Sequence, residues 1–312
     1  NLLMIPTMCL LATSLAGCKT TPVADLVVIN NIFTAESNNN SLAESFAVKN
    51  GKYIYVGDKE NVKKYIKEGK TKVINGNGLV VPGATEGHAH YIDGTGQSSE
   101  LPGCGQTYEE VLVTLKNKFE KEHITQFISF GWKTVSLMSL RDSGYDFATE
   151  IEEAAPGIPV VLIDDSGHSA VCNKTALTLA GITKENPTVR GGAIYLTEQE
   201  EPSGYVGDQA VFYVVDKTIS RPLTDEQYRR ACTYGMNELL KYGYTNTLDA
   251  FTNMYDPTGI YETLQKMDNE NLLKINIAEC YNMKSFDSKV YQEVIDKIVN
   301  INKTYSSKHC DA

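Results

Sequence analysis

The chain has 312 residues, of which 42% are hydrophobic and 22% charged, and its formal net charge is -10. This composition is that of a globular protein with room for two domains. Basic residues form no run longer than Lys63-Lys64 or Arg229-Arg230. Nucleic acid is therefore excluded as the expected partner, and a small-molecule substrate is favoured.

The N-terminal residues have the pattern of an export signal. Residues 2–16 are mostly apolar, which is typical of a signal-peptide core and too short for an ordinary membrane span. Small residues then precede Cys18, as in bacterial lipoprotein signals, where the cysteine becomes the lipidated N-terminus. We predict a lipoprotein-type signal peptide at 1–18, a tether at 19–24, and an exported protein anchored in the bacterial cell envelope through Cys18, facing the periplasm or the surface. The alternative is a plain secretory signal with a chance cysteine.

Residues 25–82 are predicted to form a small β-domain. Asn50-Gly51 is a strong hairpin signal, and Asp58 and Gly69 are placed to cap and to end a short helix. The predicted elements are strands at 26–33, 45–49, 52–56, 72–74 and 79–81, a helix at 59–68 and a turn at 75–78. They are those of a β-sandwich or an open barrel, whose N-terminal part lies here.

Residues 79–94, LVVPGATEGHAHYIDG, carry the strongest chemical signal of the chain. Side chains at i and i+2 of a strand share a face roughly 7 Å apart. The imidazoles of His88 and His90 can therefore bind one metal ion, each at about 2.0–2.1 Å from it. We predict these two residues as metal ligands and Glu86 as a hydrogen-bonding neighbour that orients them. The alternative is a pair of core histidines bonded to the backbone.

The rest of the chain alternates between helices and strands. Two capping boxes, from Thr107 to Glu110 and from Thr224 to Gln227, begin predicted helices. Further predicted elements are strands at 126–132, 158–164, 244–250 and 273–279, helices that end near 242 or cover 259–267 and 288–301, and a loop at 191–208. From Thr224 onward this order indicates a parallel sheet with crossover helices.

The order of elements resembles the amidohydrolase superfamily, in which V-P-G-x-x-E-G-H-A-H follows a small β-domain. Residues 162–177, LIDDSGHSAVCNKTAL, resemble a segment of the branch that includes the N-substituted formamide deformylases (amidohydrolase family 3). The matching positions are Gly167-His168-Ser169, Asn173, Ala176-Leu177, Pro202-Ser203-Gly204 and Gly243-Tyr244-Thr245. Many members have an aspartate where this chain has Ser166. The resemblance covers nearly everything from Asp25 to the end.

The resemblance implies an α/β fold: a metal-dependent-hydrolase (β/α)8 barrel that carries an N-terminal β-sandwich. The H-x-H would end barrel strand 1 at 83–94, and 223–312 would supply helices with strands 2 and 3. Residues 95–222 would be an insertion or lid domain of about 130 residues, where ordinary βα loops have about 2–6. Because such a barrel needs about 250 residues by itself, and because no basic residue precedes Cys18, we expect a fragment truncated at both ends, with little or no activity of its own.

The resemblance further implies an enzyme, a metal-dependent amidohydrolase that hydrolyses the non-peptide C–N bond of a small amide with metal-activated water. One or two divalent ions, preferably zinc, would lower the pKa of this water toward about 7. The general-base aspartate and the remaining ligands are expected beyond Ala312. The alternatives are a deaminase or cyclic-amide hydrolase on the same fold, or a non-catalytic lipid-anchored binding protein. A homo-oligomer is left open.

Four more side chains have competing interpretations. His168, in a Gly-flanked turn, is predicted either to contact the substrate or to anchor its loop. Trp132, the only tryptophan, is a candidate for the pocket wall, although core packing is favoured because tryptophan buries a large area. Asp249 is expected to be solvated or to cap a turn, and His123 to lie at a solvated helix end.

Overall fold

The computed structural model describes residues 21–36, 42–133, 137–250, 257–281 and 291–312. The predicted signal peptide, including Cys18, lies outside these residues. Among the described helices none is both long and apolar enough to cross a membrane. The chain divides into two compact units, Asn1–Pro82 and Gly83–Ala312.

The first unit contains a four-stranded sheet. Its strands are β1 Leu26–Phe33, β2 Leu42–Lys49, β3 Lys52–Gly57 and β4 Lys72–Val80. The strand order is β3-β2-β1-β4, with β4 parallel to β1 and the other neighbours antiparallel. Asn50 and Gly51 have φ angles of 49° and 72°. The predicted hairpin is therefore confirmed, since its tight turn needs positive φ at both central residues.

Two predictions for this unit are wrong. The turn predicted at 75–78 is part of β4, where Gly78 has a φ angle of 98° and the register against β1 shifts, so the extra residues are taken up as a bulge. The helix predicted at 59–68 is a single 3-10 turn, Asn61–Tyr65. Asp58 holds this turn tight by accepting the backbone N–H groups of Glu60 and Asn61. The described residues of this unit form one sheet, and the sandwich stays a prediction.

The described residues of the second unit form two sheets. The strands are β5 Ala84–Ala89, β6 Phe127–Trp132, β7 Val160–Asp164, β8 Ser169–Cys172, β9 Gly192–Leu196, β10 Pro202–Asp208, β11 Tyr244–Asp249, β12 Asn276–Glu279 and β13 Cys310–Asp311. The helices are α1 Gln97–Glu100, α2 Tyr108–Glu122, α3 Met138–Asp142, α4 Phe147–Ala154, α5 Lys174–Leu179, α6 Gln209–Thr218, α7 Asp225–Lys241, α8 Pro257–Asn269 and α9 Tyr291–Tyr305. A π-helical turn, Tyr91–Gly96, links β5 to α1.

One sheet of the second unit is entirely parallel. Its strands β5, β11, β12 and β13 are neighbours in the order in which they follow along the chain. Helices α8 and α9 provide the crossovers between its last three strands. Three strands were predicted for this part of the fold, and β13, the fourth strand of the sheet, corrects that count. A strand of two residues has no apolar pattern of its own, and it is held by Asp268 of α8, which accepts the backbone N–H of His309 at 2.7 Å.

The other sheet lies in the chain between β5 and β11. Its order is β6-β7-β8-β10-β9. Alternate residues of β7 pack into two different apolar clusters, Val160 and Leu162 with α2 and α4, and Val161 and Ile163 with α5 and α6. This sheet is therefore covered by helices on both faces. The prediction of a loop at 191–208 is wrong, because β9 and β10 pair there as an antiparallel hairpin. The hairpin is held by backbone hydrogen bonds, which form despite the Gly- and Glu-rich composition of the segment.

Candidate functional site

The H-x-H motif lies at the C-terminal end of β5. His88 is near the last residue of this strand and His90 follows it, with both side chains exposed. The buried Ala89 between them accepts a hydrogen bond from the backbone N–H of Ala250 at 2.7 Å. The two imidazole centroids are 5.2 Å apart and the ring planes are nearly perpendicular, at 89°.

The spacing of the two rings fits a shared metal ion. Two imidazoles that bind one tetrahedral ion through nitrogens at about 2.0–2.1 Å have centroids roughly 5 Å apart, and neutral imidazole suits zinc and its neighbours. Loss of hydration and the adjacent His88 both lower the pKa of His90, which favours the neutral form that metals bind. Among the described residues no group of three or more His, Cys, Asp or Glu side chains is placed to hold an ion.

Glu86 contacts the backbone of the motif. Its carboxylate accepts the backbone N–H of His88 at 3.1 Å. The side chain is half-buried and lies beside a cavity of about 470 Å³ on the parallel sheet, whose other lining residues include Asn246 and His309. Glu86 therefore restrains the main chain of the motif, whereas a bond to an imidazole was expected.

A cleft of about 660 Å³ opens beside His90. We call it the His90–His168 cleft, since both imidazoles line it. Its wall also includes the following residues: Ser98, Ser99, Cys104, Phe130, Phe212 and Tyr234. The volume is within the range of small-molecule sites, about 300–1,000 Å³. The mixture of hydroxyl and aromatic groups suits a small molecule with one polar and one apolar end.

His168 is presented to the cleft by a tightly bonded turn between β7 and β8. The buried carboxylate of Asp164 accepts the backbone N–H of Ser166 at 3.1 Å and its hydroxyl at 2.7 Å. Gly167 has a φ angle of 72°, a conformation that glycine adopts without strain. The ring of His168 is 74% exposed and its Nδ1 is 3.3 Å from Asp208. The turn therefore fixes the backbone and leaves the imidazole open to the cleft.

The other residues singled out from the sequence lie outside the cleft wall. Trp132 is fully buried, and its ring centroid is 5.9 Å from that of Tyr108, so it belongs to the core and not to the cleft wall. Asn173 caps α5 by accepting the backbone N–H of Ala176 at 3.0 Å. His123 is exposed and ends α2, as predicted. Of the two positions expected for Asp249, the solvated one is wrong, because its side chain is fully buried. The capping one agrees with the structure, since Asp249 accepts the backbone N–H of Ile92, in the turn Tyr91–Gly96, at 2.6 Å.

Several cleft residues were missed by reasoning from the sequence. Ser98 and Ser99 lie within ten positions of the H-x-H motif, and that proximity was the available signal. Cys104, Phe212 and Tyr234 are distant in sequence and carry no motif. Phe212 lies on α6 and Tyr234 on α7, whereas Cys104 lies between α1 and α2, and all three line the cleft.

Comparisons with known proteins identify the family of the chain. The model of the Amidohydrolase family (Amidohydro_3) matches residues 72–310. The protein LONG AFTER FAR-RED 3 of Arabidopsis thaliana is 31% identical over 232 residues, which are 73% of this chain and 38% of that protein. The N-substituted formamide deformylase of Arthrobacter pascens is 26% identical over 74% of this chain and 43% of its own length.

A solved structure shows the same fold. It is that of a metal-dependent hydrolase of Pyrococcus horikoshii, with a TM-score of 0.57 at 21% identity, and it covers 91% of this chain and 52% of that protein. The chain therefore spans about half or less of these proteins. The predicted family and the α/β class are confirmed, while the complete barrel stays a prediction. The chain belongs to the amidohydrolase family.

Proposed function

We propose that the whole protein is a metal-dependent hydrolase of the C–N bond of a small, non-peptide amide, with His88 and His90 as two of its metal ligands. The observation that carries this proposal is the imidazole pair after β5, with centroids 5.2 Å apart and His90 on the wall of a cleft. The name of the Arthrobacter relative, N-substituted formamide deformylase, favours an amide. The name of the Pyrococcus hydrolase favours a metal.

Each of the candidate residues of this chain would have a separate role in the site. The ion, preferably zinc, supplies an activated water with a pKa near about 7 and polarises the scissile carbonyl. His88 and His90 would hold it through neutral ring nitrogens, while Glu86 restrains the backbone at His88. His168 would contact the substrate from the opposite wall. The remaining ligands and the general-base aspartate would come from the rest of the longer protein.

The test compares three His-to-Asn variants of the full-length enzyme. H88N and H90N should lose metal, measured by elemental analysis, and about 100-fold or more in kcat/KM for an N-substituted formamide, since the metal contributes several kcal/mol. His123→Asn is the matched control. Its side chain is exposed, and asparagine tolerates the φ angle of 52° at this helix end, so both measurements should stay at the wild-type value.

The product distinguishes the alternatives. Formate release supports a deformylase, ammonia release a deaminase, and ring opening of a cyclic amide without either product a cyclic-amide hydrolase. Binding without turnover by full-length protein that contains metal would support the non-catalytic alternative. Full activity and full metal content in both H88N and H90N would refute the proposed ligands.

A further inference from the structure

The end of β11 holds the main chain on both sides of His90. The backbone N–H of Ala250 donates to the carbonyl of Ala89 at 2.7 Å. The Asp249 carboxylate accepts the backbone N–H of Ile92 at 2.6 Å. His90 therefore lies between two points that are both attached to the same strand end.

The position of the Asp249 carboxylate has a physical reason. Its side chain is fully buried, and a buried carboxylate is costly unless it accepts strong hydrogen bonds. Ile92 lies at the start of the π-helical turn Tyr91–Gly96, where backbone N–H groups have no partner within the helical segment. A carboxylate satisfies such a group with a charge-assisted bond and also suits the positive end of the segment.

The same turn is confined on its other side by α7. A Cβ added to Gly235 would be 2.3 Å from the carbonyl oxygen of Tyr91, and one added to Gly96 would be 2.5 Å from that of Ala231. The two backbones therefore touch without intervening side chains. Asp249 on one side and α7 on the other leave the turn after His90 little freedom to move.

We propose that Asp249 is a positioning residue for the metal-binding imidazoles and acts through the Ile92 backbone. This inference rests on the proposed function, because it gives Asp249 a role in metal binding. Without its carboxylate the turn would loosen, His90 would sample other orientations, and the preformed 5.2 Å pair would be lost. The residue itself need not touch substrate or metal.

The experiment measures Zn²⁺ binding to the 312-residue chain by calorimetry, with the H88N/H90N double variant as the blank. Asp249→Ala should weaken binding by about 10-fold or more, the effect of removing a group that orients a ligand. Asp249→Asn keeps an oxygen at the same distance from Ile92 and should bind within about threefold of wild type. Should the alanine variant fail to fold, Asp249→Ser replaces it, since its short hydroxyl does not reach Ile92.

Asp268→Ala is the matched control. Asp268 is also buried, at 6% exposure, and also accepts a backbone N–H, that of His309 at 2.7 Å. This variant should lower stability as much and leave Zn²⁺ affinity within about twofold. Imidazole ¹⁵N spectra without metal provide a second readout, in which Asp249→Ala, but not Asp268→Ala, should move the His90 signals.

The outcomes separate the two proposals. Equal Zn²⁺ binding by wild type and H88N/H90N would contradict the metal site of the proposed function, and the metal-free spectra would still decide the role of Asp249. Unchanged affinity and spectra in folded Asp249→Ala, an equal effect of Asp268→Ala, or loss of binding in folded Asp249→Asn would each overturn the inference.

Discussion

Replacement of Gly235 by alanine should have two opposite effects on stability, one from helix propensity and one from packing against the turn after His90. Within a helix, alanine is favoured over glycine by about 1 kcal/mol. The added Cβ, however, would be 2.3 Å from the Tyr91 carbonyl oxygen and 3.0 Å from the Ile92 Cα. Neither atom belongs to a side chain that can rotate away, so the turn or the helix must shift by about 1 Å, and overpacking of this kind typically costs about 1–3 kcal/mol or more.

We expect overpacking to exceed the gain in helix propensity, with a net loss of up to about 2 kcal/mol in the free energy of unfolding of the second unit. Urea unfolding followed by tryptophan fluorescence is the assay, because Trp132 is the only tryptophan and is fully buried in this unit. The control is Asn237→Ala, an exposed change on the same helix that should stabilise by a few tenths of a kcal/mol.

The sign of the change in stability in Gly235→Ala shows which of the two effects is larger. A rise in stability of about 1 kcal/mol, the propensity term alone, would show that the close contact between α7 and the turn is absent in solution. Zn²⁺ affinity should fall together with stability, since the displaced turn follows His90 directly. A destabilised variant with unchanged affinity would show that the turn does not determine the geometry of the imidazoles.

Three other predictions follow from single groups. Burial would raise the pKa of Asp268, but hydrogen bonds from His309 and Ser307 outweigh it and lower this pKa. Its stabilising contribution should be complete above about pH 4 and lost as the pH falls further, so urea midpoints of wild type and Asp268→Asn should converge in acid. Iodoacetamide should label exposed Cys104 in the native protein and buried Cys172 only after unfolding, as peptide mass spectrometry would detect. Cys18→Ser should move the protein from the membrane fraction to the soluble fraction, and retention in the membrane would contradict lipidation.

Local signals in the sequence predicted local structure well. Both capping boxes, at Thr107 and Thr224, form with the reciprocal side-chain bonds that the motif requires. The Asn50-Gly51 turn also forms. Each involves residues a few positions apart, so the information for it is complete within a short stretch.

Features that depend on distant contacts were not predictable in this way. β13 exists because it pairs with β12 and is fixed by Asp268. In the sequence, Asp249 resembles any aspartate at a strand end. Its role becomes visible only in the structure, where it accepts the backbone N–H of Ile92 in the turn after His90. The pairing of His90 with His168 in one cleft requires the five-stranded sheet to lie beside the parallel sheet, which no short pattern encodes.

The two imidazoles that line the cleft belong to different sheets of the second unit. His90 follows the parallel sheet, whereas His168 lies in a turn of the five-stranded sheet, and the turn is fixed by that sheet's own Asp164. Substitutions in the five-stranded sheet can therefore reshape the cleft while the strand that carries the H-x-H pair stays intact. Under the proposed function, such a division would allow the substrate range to change independently of the metal ligands.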